Sequence, residues 1–236
     1  MRAVCLVTGA SGTLGLRLCT SLSCDYDLVA VYNSHPPTFS YQDLHFLRSF
    51  PRRESDDKPI TAYCVQADLR RRDDIRRVIE LTMARHGHID HLVNLMADTR
   101  FYGNVLSLWR AEDYADRQFD LNAIIPMKLA AAVHEVCWRD SPGENLAKRR
   151  SVTNVSSMSA MVIDKSMGQA VYAASKAALN ILTMHLALEL EPYSVRANAI
   201  CPFRFVQNEQ RTSAVISEIQ ELLAGTCSGE IRTSSF

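Results

Sequence analysis

The chain has 236 residues, 47% of them hydrophobic and 22% charged, and its 26 Lys and Arg balance 26 Asp and Glu to a formal net charge of zero. A chain of this size and composition can bury a full core, which excludes disorder as its main state, and its neutral balance supplies no overall cationic field for nucleic acid or anionic membrane. No apolar run reaches the roughly 18 residues of a membrane span, and the segment after Met1 lacks the layout of a signal peptide. A cytoplasmic protein with no nucleic-acid or membrane partner is therefore expected. The seven cysteines are single and odd in number, with no Cys-x-x-Cys, and read as buried thiols of a reducing compartment. His86, His88 and His91 cluster around Asp90 but read as a turn after Gly87, so no metal is expected.

In chain order, Ala3 to Val7 is a short apolar run that reads as a buried strand. It runs into Thr8-Gly9-Ala10-Ser11-Gly12-Thr13-Leu14-Gly15, after which Leu16, Leu18 and Leu22 open a helical pattern. Glycines between a first strand and a helix let a pyrophosphate approach the unpaired amides and the positive dipole end of that helix. Leu28 to Tyr32 is a second strand. Ser34 to Pro59 carries four prolines and reads as a long loop, with a short helix near Tyr41 to Leu47. Strand Ala62 to Gln66 precedes an Arg70-Arg71-Arg72 run, read as solvated loop. Ile75, Val78, Ile79, Thr82 and Met83 then form one apolar helical stripe. Ile89 to Leu95 is a strand, Trp109 to Trp138 is helical, and Ser141 to Arg150 reads as a surface connection into strand Ser151 to Ser156. Val195 to Ile200 is the sixth strand, and Glu230 to Thr233 is a weaker seventh. Strands alternating with helices predict one α/β domain over residues 1–236, a doubly wound, Rossmann-like parallel sheet of about seven strands with helices on both faces.

Tyr172 and Lys176 lie four residues apart in a strongly helical run, which puts phenol and ammonium on one face. A nearby ammonium favours the phenolate and brings the tyrosine towards the range useful for proton transfer. Just upstream, Asn154-Val155-Ser156-Ser157 brings hydroxyls to the strand end, where doubly wound folds bind ligands.

With the glycine turn, Asp68, Asn94 and the strand ending in Ser157, the Tyr172/Lys176 pair makes the chain resemble the short-chain dehydrogenase/reductase family, in its short single-domain branch. The resemblance covers nearly the whole chain. It implies an NAD(P)-dependent oxidoreductase that interconverts a ketone and a secondary alcohol, with Tyr172 as general acid/base. Lys176 would hold the nicotinamide ribose, Ser157 would polarise the substrate carbonyl, and Asn122 would support a proton-relay water. Cofactor contacts are implied for Gly9, Ser11, Gly12, Thr13, Leu14 and Gly15 at the turn, for Asn33 and Ser34 after the second strand, and for Asp68, Leu69, Asn94 and Pro202, besides Tyr172 and Lys176. The family's usual spacing before the tyrosine selects Ser159 as the serine; the strand register selects Ser157, the preferred reading.

The chain departs from the family in four places. The turn is spaced Gly9, Gly12, Gly15, with Thr13 where the middle glycine usually stands; Asn-Asn-Ala-Gly has become Asn94-Leu95-Met96-Ala97; proline-glycine has become Pro202-Phe203; and Phe203 to Arg211 is short for a substrate lid, which suits a bulky or carrier-bound substrate. No carboxylate follows the second strand at Tyr32-Asn33-Ser34-His35, which favours NADP(H), with NAD(H) as the alternative. Loops holding Phe101, Tyr102, Met161 and Met167 favour an apolar substrate. Apolar residues around Trp109 to Trp138 and the Tyr172 helix suit a homodimer or homotetramer. Other readings are a catalytically silent nucleotide-binding scaffold, a C=C or imine reductase, and an extended-branch epimerase, for which too few residues follow Lys176.

Overall fold

The computed structural model describes residues 2–37, 41–43, 46–48, 61–100, 103–110, 113–163, 168–203 and 208–234, with 41–43, 46–48 and 61 described through their backbone alone. Seven parallel strands form the body of one sheet: β1 (Ala3–Thr8), β2 (Tyr26–Tyr32), β5 (Thr61–Gln66), β6 (His91–Asn94), β7 (Ser151–Val155), β8 (Arg196–Cys201) and β9 (Ile231–Thr233). With two short strands at one edge, β3 (Tyr41–Asp43) and β4 (Phe46–Arg48), the order is β3-β4-β5-β2-β1-β6-β7-β8-β9, so the winding reverses between β1 and β6. Such a reversal opens a crevice beyond the strands' carboxyl ends.

The near-continuous apolar strands are explained by cover on both faces. Helices α2 (Arg72–His86), α4 (Ile125–Val133) and α6 (Ala170–Leu190) bury Ile79, Val133 and Leu186 against one face. Helices α1 (Thr13–Leu22) and α7 (Glu209–Ala224) bury Leu18 and Ile219 against the other. Between α2 and α4 lies the short α3 (Tyr114–Phe119), followed by a π-helical turn over Asp120–Ile124. The expected Ile75-Val78-Ile79-Thr82 stripe is the buried face of α2, whose end is set by Gly87 at φ 77°.

Two expectations are corrected. Near Tyr41 to Leu47 the backbone forms a hairpin, β3 (Tyr41–Asp43) and β4 (Phe46–Arg48), in place of a helix, and β4 pairs antiparallel with β5. Without it β5 would be a bare edge, and its open backbone donors and acceptors select the strand conformation. The remainder of the loop between 37 and 61 lies outside the described residues. Ser141 to Arg150 holds a helix, α5 (Pro142–Lys148), in place of an irregular surface connection. Pro142 sits in the first turn, where its fixed φ starts a helix without losing a hydrogen bond. Nor does the segment lie wholly at the surface: Arg150 is 2% exposed, with its Nε 3.3 Å from Asp90 Oδ1 and its Nη2 3.0 Å from Glu144 Oε1.

Candidate active site

At the crevice the chain leaves β1 through Gly9 in the left-handed region, φ 68°. A Cβ there would stand 2.8 Å from the Met96 backbone nitrogen, and one at Gly15 would stand 2.8 Å from the Ala10 Cα. Glycine at both positions brings the turn against the strand ends and the first turn of α1. That helix begins at Gly12 with no side-chain cap and no acidic residue in its first turn, which leaves amides for an anion.

A cavity of about 740 Å³ opens over this turn. Of the residues singled out in the sequence, Gly9, Ser11, Gly12, Thr13, Leu14, Gly15, Asn33, Ser34, Asp68 and Leu69 line it. The cavity fits an extended anionic nucleotide. It has length along three strand ends, a glycine cradle that a Cβ would fill, and an uncapped helix N-terminus. Its opposite wall runs from Leu95 to Arg100 and on to Arg117 and Leu121.

Asn94 is placed differently. It is 2% exposed, outside the cavity lining, and its amide is used between strands: Nδ2 donates to Asn154 Oδ1 at 2.8 Å, and Asn154 Nδ2 donates to Thr183 Oγ1 on α6 at 2.9 Å. This ladder pins α6 to β6 and β7. Asp68 lines the cavity with its carboxylate engaged by Arg70, Nε at 2.8 Å and Nη2 at 2.7 Å, and the guanidinium holds that carboxyl below the usual range.

Ser157, Lys176 and Pro202 gather around the end of β7, beyond the cavity lining. Lys176 is 1% exposed; its Nζ donates to the Val155 carbonyl at 2.7 Å, and its own carbonyl accepts from Ser156 Oγ at 3.1 Å. Burial pushes the Lys176 ammonium down to about 8. The next residue of the strand end, Ser157, is partly exposed and its Oγ accepts the Ser159 backbone N–H at 3.1 Å, so one candidate serine caps the tight turn (Met158–Ala160) that holds the other, and the turn packs against α6. The Pro202 carbonyl accepts the Met158 N–H at 3.0 Å and ties the end of β8 to the same turn. Tyr172 stands in the first turn of α6, one turn before Lys176 and partly exposed. Asn122 is fully buried in the π-helical turn, a distortion frequent at functional sites. Its Nδ2 donates to Ser175 Oγ at 3.1 Å, which in turn donates to the Tyr172 carbonyl at 2.7 Å.

Sequence reasoning missed Arg70, Asp98, Arg100 and Ser175. Asp68-x-Arg70 and Asp98-x-Arg100 repeat one spacing, and in both the arginine folds back on its aspartate; that repeat was the available signal. Met161 is exposed, whereas Phe101, Tyr102, Met167 and positions 204–207 of the expected lid lie outside the described residues.

The chain matches the family model for short chain dehydrogenases over residues 3–215. It is 32% identical over 130 residues to human dehydrogenase/reductase SDR family member 4 (55% of this chain, 43% of the relative). It is 32% identical over 149 residues to a peroxisomal 2,4-dienoyl-CoA reductase of Arabidopsis thaliana (61% and 47%). The chain thus spans less than half the length of these two relatives. With a 7alpha-hydroxysteroid dehydrogenase of Bacteroides fragilis it shares 24% identity over 95% of its length and 79% of the relative's. In fold it resembles a Brucella ovis oxidoreductase of the short chain dehydrogenase/reductase family in complex with partially ordered NAD, with TM-score 0.75, 22% identity and full coverage of both chains. The match over most of the chain, on a sheet whose crevice carries the glycine turn, places the chain in the short chain dehydrogenase family.

Proposed function

We propose that the chain is a single-domain NAD(P)-dependent oxidoreductase that reduces a ketone to a secondary alcohol, with Tyr172 as general acid. The observation that carries this reading is the placement of Lys176, buried at the end of β7 beside Ser157 and one turn from Tyr172. When bound, the dinucleotide supplies the hydride. The chain's part is to hold it along Gly9 to Gly15, at Asn33 and Ser34 and at Asp68 and Leu69, to donate a hydrogen bond from Ser157 to the substrate oxygen, and to give that oxygen the Tyr172 proton. Lys176 favours the phenolate left behind, and Asn122 supports the path by which it is reprotonated.

The absence of a carboxylate at Asn33 and Ser34 supports NADP(H), and Arg70 adds a cation to the same cavity wall. The exposed stripe Ile181, Met184 and Leu188 on α6 supports a homodimer or homotetramer. The seven free cysteines support a cytoplasmic setting. No helix among the described residues is long and apolar enough to cross a membrane. Reduction of a C=C bond is the second reading, favoured by the similarity to the dienoyl-CoA reductase.

The test is a screen of bulky ketones and enoyl thioesters with NADPH and NADH, repeated with Tyr172→Phe. Loss of about 10³-fold in kcat with dinucleotide binding retained is expected. Undiminished turnover by the variant would remove the role given to the phenol.

A further inference from the structure

The altered motif after β6 runs directly into an acidic residue. Asp98 has a side chain only 6% exposed, at the point where the chain crosses from the sheet to the cavity wall. Its backbone and the Asn122 amide hold each other in both directions: the Asp98 N–H donates to Asn122 Oδ1 at 2.6 Å, and Asn122 Nδ2 donates to the Asp98 carbonyl at 2.9 Å. The second Nδ2 hydrogen goes to Ser175, so both hydrogens of that amide are used.

The Asp98 carboxylate fixes the same stretch from the other side. Oδ1 accepts the Arg100 backbone N–H at 2.9 Å, closing a side-chain turn over residues 98–100, and the Arg100 Nε lies 3.0 Å from Oδ1 and 3.2 Å from Oδ2. Removing a carboxylate from water is costly unless it is paired. Arg100 provides the pairing from a side chain 67% exposed that lines the cavity. A hydrogen-bonded path therefore runs from a guanidinium on the cavity wall through Asp98, Asn122 and Ser175 to the backbone of Tyr172.

We propose that Asp98, braced by Arg100, is the positioning residue that sets the Asn122 amide beside the Tyr172/Lys176 helix. The inference rests on the relay role given to Asn122 above. Three cations face the carboxylate: Arg100 from its own loop, Arg117 from α3, and Arg70 from the turn after β5. The hydrogen-bonded Arg100 holds the carboxyl below its usual range against the opposing effect of burial.

The test compares Asp98→Asn with Asp98→Ala in the full chain. An asparagine oxygen can still accept the Arg100 N–H; alanine cannot. The alanine variant should lose about tenfold or more in kcat, and the asparagine variant should recover most of the loss. Hydrogen exchange of the residue 98 amide, which reads its bond to Asn122 directly, should quicken about tenfold or more in the alanine variant only. Arg100→Gln should raise the acid limb of the kcat profile as Asp98 loses its main partner, and adding Asp98→Asn should remove that shift. Unchanged exchange and kcat in the alanine variant, or an asparagine variant as impaired as the alanine one, would overturn the inference. Exchange needs no turnover, so an inactive wild type would defeat the reading of Tyr172 while leaving this one to be decided by the amide.

Discussion

Lys176 reaches the Val155 carbonyl at 2.7 Å from a position almost wholly out of solvent, and that hydrogen bond carries a charge into the core. Burial brings its pKa from 10.5 down to about 8. Between those values the unfolded chain binds more protons than the folded one, so stability rises with pH across that window. Below pH 8 the buried charge costs about 3 kcal/mol. Lys176→Met removes that cost and leaves one carbonyl unpartnered, a loss of about 1 to 3 kcal/mol. The expected outcome is an apo protein whose thermal midpoint at pH 7 is no lower than wild type and is higher by up to a few degrees, with activity lost. A clear fall in the midpoint, measured by calorimetry, would show that the lysine supports the fold as well as the chemistry.

Asn33 lines the cavity just past β2, and its carbonyl accepts from Gln66 Nε2 at 2.9 Å, so its backbone is fixed while its side chain is exposed. Asn33→Asp puts a carboxylate where it accepts from a ribose 2′-OH and repels a 2′-phosphate. The ratio of kcat/KM for NADPH over NADH should fall about tenfold or more. An unchanged ratio would move the determinant to Arg70 or the glycine turn.

The glycine turn offers a paired test. Gly9 has φ 68° and no room for a Cβ against Met96, whereas at Gly12 φ is −72° and a Cβ would meet its first neighbour, the Gly9 oxygen, at 3.4 Å. Gly9→Ala should cost about 2 kcal/mol or more and weaken dinucleotide binding; Gly12→Ala should cost about 0.5 kcal/mol. Urea midpoints and fluorescence titration of the dinucleotide separate the two, and equal effects would contradict the steric account.

The central parallel strands were legible because they are buried on both faces and so read as apolar runs flanked by turn residues; β9, partly exposed at the sheet edge, reads more weakly. The Tyr172/Lys176 spacing was legible because it lies within one helix. Much of what escaped is set by partners distant in sequence. The β4 hairpin strand exists because β5 offers an edge, a relation that residues 41–48 do not carry. Arg150 lies in a segment that reads as a surface connection, yet its burial is decided by Asp90, 60 positions earlier. A cofactor contact for Asn94 is implied by the family resemblance alone; that its amide is used within the sheet depends on the facing Asn154, which the motif does not carry. Ser141 to Arg150 reads as a surface connection, although Pro142 is a local signal for the helix it begins.

His91 gives a prediction at acid pH. It is 4% exposed at the start of β6, its Nδ1 is 2.9 Å from Ser151 Oγ, and its ring meets Tyr26 edge-on with centroids 5.5 Å apart. Burial pushes its pKa down to about 4, against the opposing pull of Asp90. The unfolded chain, with histidine near 6.5, binds more protons between those values. The stabilisation is therefore complete above pH 6.5 and drains away as pH falls towards 4, by about 3 kcal/mol in all. His86 and His134 are also lowered by burial and add to the same trend, so the difference between wild type and His91→Gln isolates this ring. Urea midpoints from pH 7 to pH 4 should fall more steeply for wild type, by up to about 1.4 kcal/mol per pH unit. Parallel curves for the two proteins would mean that His91 titrates alike in the folded and unfolded states, and that its place between Ser151 and Tyr26 is open to water.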